Sequence, residues 1–127
     1  MLRRVMPNDI APPAANYAHA VVTTDATQWL HTSGVVPVAP DGSVPASIGE
    51  QADVMWTNVA AIMRDAEMSA EHVVSVTTYA VVGQDLAPVM AARDRFLGGH
   101  LAASTLVTVP ALARPEWLVE VAVVAAR

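Results

Sequence analysis

Residues 118–126 read Leu-Val-Glu-Val-Ala-Val-Val-Ala-Ala, an apolar run around one carboxylate, Glu120. A strand with one wet face would alternate polar and apolar residues. Here the positions on both sides of the pleat are apolar, so both faces of the sheet that holds this strand need cover. Helices of the same chain can cover one face. The other asks for a neighbouring copy, and a homo-oligomer is the simplest source.

Working outward, His72 to Val82 (HVVSVTTYAVV) is a second buried, β-branched strand that ends at Gly83. Before it, Ser47 to Ala66 has apolar residues at helical spacing (Ile48, Ala52, Met55, Val59, Ile62, Met63), and Ser47 with Glu50 fits a capping box. After it, Asp85 can cap a second helix, from about Leu86 to Leu97, that Gly98-Gly99 stops. Thr105 to Val109 supplies another strand, and Trp117 to Ala125 is the last. Upstream, Tyr17 to Thr24 and Trp29 to Ser33 flank Asp25-Ala26-Thr27 and read as a hairpin. Pro7, Pro12 and Pro13 make residues 1–16 an irregular lead-in to one domain over 1–127. The order β-β-α-β-α-β-β predicts an α+β domain, one mixed sheet with both helices on one face.

Composition narrows the chemistry. Of 127 residues, 54% are hydrophobic and 15% charged, too apolar for disorder. The chain has no cysteine, which excludes disulfides, thiolate metal sites and cysteine nucleophiles. All seven basic residues are arginine, so a Schiff-base or P-loop lysine is excluded. The net charge of -5 and the lack of any basic run beyond Arg3-Arg4 argue against a nucleic-acid partner. With no stretch long and apolar enough for a membrane span and no signal-like core, the expected location is the cytoplasm.

Glu120 is the sharpest candidate, because a carboxylate in an apolar strand lies either on a solvated edge or in a cleft where it can move protons. His19, His31, His72 and His100 show no metal-ligand spacing, so no metal or other cofactor is expected. His19 and His31, on the two strands of the first hairpin, can face one pocket. Arg93 shares the apolar helix face of Val89 and Leu97; it either binds a substrate carboxylate or pairs with an acid such as Asp94 or Glu67. Ser33-Gly34 offers a hydroxyl and a backbone that a ligand can approach closely.

In order and spacing, several segments resemble the Rid (YjgF-type) family of reactive-intermediate deaminases. They are Ala11-Pro12 with Tyr17, Thr32-Ser33-Gly34, Gly42 with Val44-Pro45, Gln51 and Asn58, Val73 to Thr78, Phe96, Val107-Thr108-Val109 with Leu112, and Val119-Glu120-Val121. The resemblance runs from about residue 10 onward. It implies a chorismate-mutase-like fold and a homotrimer whose sheets form an inner barrel, with a small-molecule cleft at each subunit interface. It also implies metal-free hydrolysis of enamines or imines, in which Glu120 positions or activates the attacking water and Tyr17, Ser33 and Gly34 line the cleft. The family's substrate-binding arginine lies in a Pro-Ala-Arg-Ser segment. This chain has Ala102-Ala103-Ser104-Thr105 there, with Ser104 at the arginine's place. A serine cannot replace a guanidinium fork. The family's serine and glutamine after the tyrosine are Ala18 and His19 here, and its helix-two tyrosine is Arg93.

The resulting expectation is a hydrolytic enamine/imine deaminase of altered specificity. Arg93 or His19 would supply the polar contact that Ser104 lacks. The alternatives are a trimer that binds a metabolite or partner without chemistry, and a pathway-specific enzyme of different chemistry on the same fold.

Overall fold

The structure, a computed structural model, describes residues 1–127. Its elements in chain order are β1 (Leu2–Val5), β2 (Ala20–Thr23), β3 (Trp29–His31), α1 (Ile48–Asp65), β4 (Val73–Val81), α2 (Ala87–Leu97), β5 (Ala103–Val109) and β6 (Val119–Ala126), with a 3-10 turn at Ala70–His72 before β4. A mixed four-stranded sheet has the order β3-β6-β4-β5, parallel only between β4 and β5. The parallel pair is possible because α2 carries the chain back between them.

Both helices pack on one face of this sheet, as expected for the α+β layout. Val119, Val121, Val123 and Ala125 of β6 and Val73, Val76 and Ala80 of β4 meet Ala52, Met55, Val59 and Met63 of α1 and Val89 and Ala92 of α2 in one core. Helix boundaries follow local chemistry. The Ser47 hydroxyl accepts the Glu50 N–H at 3.3 Å, and the Asp85 carboxylate accepts the Ala87 N–H at 3.0 Å. Gly98 ends α2 in the left-handed region, φ 57°, where a side chain would be strained. The turn at Asp41 is held from within. The Ser43 hydroxyl and N–H both donate to its carboxylate, which lowers the carboxyl below its ordinary range. That hold is therefore complete at neutral pH and is lost as pH falls through the lowered value.

Two features of the N-terminal part correct the sequence reading. Leu2–Val5 is a strand, not irregular lead-in, and it pairs antiparallel with β2 as a separate ribbon. Consequently β2 and β3 form no hairpin. The turn between them is pinned elsewhere, because the Thr27 and Gln28 N–H groups both donate to the Arg127 carbonyl, at 2.9 and 3.0 Å. That anchor lays β3 along β6, while β2 is left to β1.

Gln51 ties the layers together. It is 1% exposed. Its amide donates to the carbonyls of Pro45 (2.8 Å) and Glu116 (2.9 Å), and its oxygen accepts the Leu118 N–H (2.8 Å). Gln51→Leu keeps the volume but orphans three backbone groups, each costing about 1–3 kcal/mol when buried. The expected result is a loss of about 3 kcal/mol or more, read as a fall in Tm on the order of 10 °C. An unchanged Tm would show that these loops do not depend on the amide.

The second face of the sheet bears Glu120, Ala122 and Val124 of β6, Tyr79 of β4, Val107 of β5 and Trp29 of β3. Trp29 is 51% and Val107 40% exposed. Trp29 stacks on His31, with ring centroids 6.3 Å apart. No helix of this chain is long and apolar enough to cross a membrane.

Candidate functional site

Glu120 alternates with Val119 and Val121, which point into the core, so its carboxylate stands half-buried on the helix-free face, level with Tyr79. Beside it the edge of the sheet is irregular. Thr32 N–H donates to the Val123 carbonyl at 3.0 Å, and Val35 N–H donates to the Val121 carbonyl at 2.7 Å. Two residues, Ser33 and Gly34, therefore oppose the single residue Ala122, which is a bulge. The Thr32 hydroxyl accepts the Val123 N–H at 3.0 Å and repairs the ladder there. The bulge brings Gly34 under the Glu120 side chain. A Cβ on Gly34 would overlap the carboxylate oxygen Oε2 and stand 2.8 Å from Cδ. Gly34 is thus required by close approach rather than by a turn. Glu120, Ser33 and Gly34 form one group.

The second group gathers at the other edge. Arg93 on α2 is only 6% exposed. Its Nη1 donates to the Ser104 hydroxyl at 3.3 Å, and its Nε and Nη2 both donate to Asp94 Oδ1, at 3.1 and 3.0 Å. Asp94 Oδ2 in turn accepts the Asn16 amide at 2.9 Å. Ala18 bridges Ala103 as a parallel partner and donates its N–H to the Ala102 carbonyl at 2.9 Å, which brings Tyr17 and His19 to the start of β5. The two rings meet edge to face at 6.5 Å. Tyr17 Oη accepts the Ala14 N–H at 3.2 Å, whereas His19 Nε2 is buried with no partner in the chain.

So the seven sequence candidates fall into two sets. Glu120, Ser33 and Gly34 sit at the β3–β6 edge; Arg93, Ser104, Tyr17 and His19 sit around β5. Glu120 and Ser104 lie on opposite faces, two strand spacings (roughly 10 Å) across the sheet and three residues along it. One chain does not bring the sets together. The first hairpin being absent, His31 and His19 share no pocket; His31 stands on the helix-free face with Trp29. No three His, Asp or Glu side chains converge as metal ligands. Of the two acids the sequence offered Arg93, Asp94 is the one it pairs with; Asn16 was not singled out, because it is 78 residues from Asp94.

A two-layer α+β domain with a divided polar site is what these features define. The chain belongs to the family described as Endoribonuclease L-PSP, the YjgF/Rid family, whose profile matches residues 8–127. It is 37% identical over 97 residues to a RutC family protein of Pasteurella multocida, covering 75% of this chain and 73% of that one. Among solved structures, a Rid-family protein of unknown function from Yersinia pestis superposes with a TM-score of 0.90 at 27% identity, covering 99% and 98% of the two chains. The Escherichia coli protein TdcF, solved with bound serine, superposes with a TM-score of 0.72 at 26% identity, covering 96% and 93%.

Proposed function

We propose that this protein is a homotrimer that hydrolyses an enamine or imine metabolite in clefts between subunits. The observation that carries this reading is Glu120, a carboxylate held half-buried against Gly34 on an otherwise apolar sheet face. A second copy laid on that face covers Trp29 and Val107 and brings its own β5 edge toward Glu120. The divided sets then become the two sides of one cleft. Bound serine in TdcF supports a small amino-acid-like substrate.

In the proposed reaction Glu120 takes a proton from water as the water oxygen bonds to the imine carbon, and the C=N π pair moves to nitrogen. Return of that proton to nitrogen gives the carbinolamine; its hydroxyl proton then passes to nitrogen as C=O forms and C–N breaks, releasing ammonia. An enamine first takes a proton at carbon and gives one up from nitrogen, which makes it the imine. Arg93 donates to Ser104, and the polar group it forms with Asp94 and Asn16 takes the substrate's polar end. The net charge of -5 gives the ribonuclease in the family's description no support. One observation favours a non-catalytic binding trimer instead, namely that Asp94 already holds the Arg93 guanidinium.

The test is ammonia release from imines generated in situ from amino acids by an oxidase. Release above background is expected; none across the set sinks the hydrolytic reading and leaves the binding one. Gly34→Ala supplies a finer test. Its methyl displaces the Glu120 carboxylate, which is free to swing because it is the end of a flexible side chain. We expect kcat/KM to fall by about tenfold or more with Tm nearly unchanged, since a misplaced group costs rate and not packing. Full activity in Gly34→Ala would show that the carboxylate needs no fixed seat.

A further inference from the structure

We propose that the cavity beside Asp94 holds the polar end of the substrate and selects an uncharged carboxamide over a carboxylate. This rests on the hydrolytic reading above and names its substrate class, a 2-imino or enamine amide. The cavity, about 250 Å³, is lined by Asn16, Asp94 and His100 with Leu97, Gly99 and Leu101. It exposes the acid and not the base, since the Asp94 side chain is 35% exposed and that of Arg93 is 7%. Both the Nε and Nη2 N–H groups of Arg93 are spent on Asp94 Oδ1, so the guanidinium turns no free donor of that pair toward the cavity.

A carboxylate brought here meets a second carboxylate, and like charges at that range repel. His100 brings no donor from Nε2 to offset this. Its Nε2 lies 2.7 Å from the Val73 carbonyl, so that nitrogen carries the hydrogen and donates it away from any ligand. The cavity thus offers the Asp94 carboxylate as an acceptor and the Asn16 amide as a donor. A carboxamide has the matching set. Its NH2 donates to Asp94, and its C=O accepts.

Pyruvate and pyruvamide, the keto products of the two substrate classes, differ only at this end and are the probes. Titrated into the full-length protein at neutral pH, pyruvamide is expected to bind at least tenfold tighter than pyruvate. Asp94→Asn removes the charge and keeps the shape, and Asn16 can meet it by turning its amide over. That variant is expected to erase or reverse the preference. Equal or tighter binding of pyruvate to the wild type overturns the proposal, as does binding of neither, or an unchanged ratio in a folded Asp94→Asn. Because binding is read without turnover, the preference stands if ammonia release fails, and falls alone if ammonia is released while pyruvate binds better.

Discussion

Glu120→Gln is expected to lower kcat/KM for imine hydrolysis by at least about a hundredfold, the contribution a positioned general base typically makes. Glutamine has the same shape, so the seat over Gly34 stays filled and the strand partner Tyr79 keeps its place, as does Val35 opposite Val121. Only the ability to take a proton is removed. Glu120 is half-buried on the helix-free face and makes no side-chain hydrogen bond within its own chain that glutamine would break. Tm should therefore move by no more than a few degrees. Steady-state rates of ammonia release together with a melting curve separate the two effects. A variant within threefold of wild type would remove Glu120 from the chemistry, whatever its place in the cleft.

That carboxylate was legible because its surroundings are so uniform. One acid within Leu118 to Ala126 stands out against any background, and the alternation of buried Val119, Val121 and Val123 with half-buried neighbours assigns its face. The helices were equally plain, since Ser47, Asp85 and Gly98 mark their ends with local chemistry. What was not legible depends on contacts distant in sequence. The strand Leu2–Val5 carries two arginines and no periodic signal, and only the edge of β2 makes it a strand. The expected hairpin failed because the Arg127 carbonyl, about a hundred residues away, captures the turn. Arg93 was marked by its place on an apolar helix face. Of its partners, Asp94 was named from the sequence and is found, while Ser104 was not named as one. Ser104 lies across the layer on β5, a contact that no local spacing signals. The sequence thus pointed to both polar groups but not to their separation, which follows from strand order and register.

This separation sets up the other large effect, Ala122→Arg. Ala122 lies on the helix-free face of β6 between Glu120 and Val124, opposite Thr77 of β4. In a lone chain its side chain is half-buried at the surface, and an arginine there can reach water along its stem. In a closed trimer three guanidinium groups would be buried among apolar side chains without partners, at a cost of several kcal/mol each. The expected product is a folded monomer. Light scattering should give 13.3 kDa in place of about three times that mass, with the far-ultraviolet spectrum kept. Activity should fall by more than about a hundredfold, because Glu120 no longer faces the β5 edge of another copy. Mixing supplies the decisive arm. Glu120→Gln and Arg93→Gln each damage one side of the cleft. If every cleft takes its two sides from different copies, trimers reassembled from equal amounts have both sides intact in about a quarter of their clefts, and activity returns. A monomeric but fully active Ala122→Arg, or mixed trimers no better than their parents, would place the whole site within one chain. The distances across the sheet argue against that outcome, because the fold holds the carboxylate and the guanidinium on opposite faces.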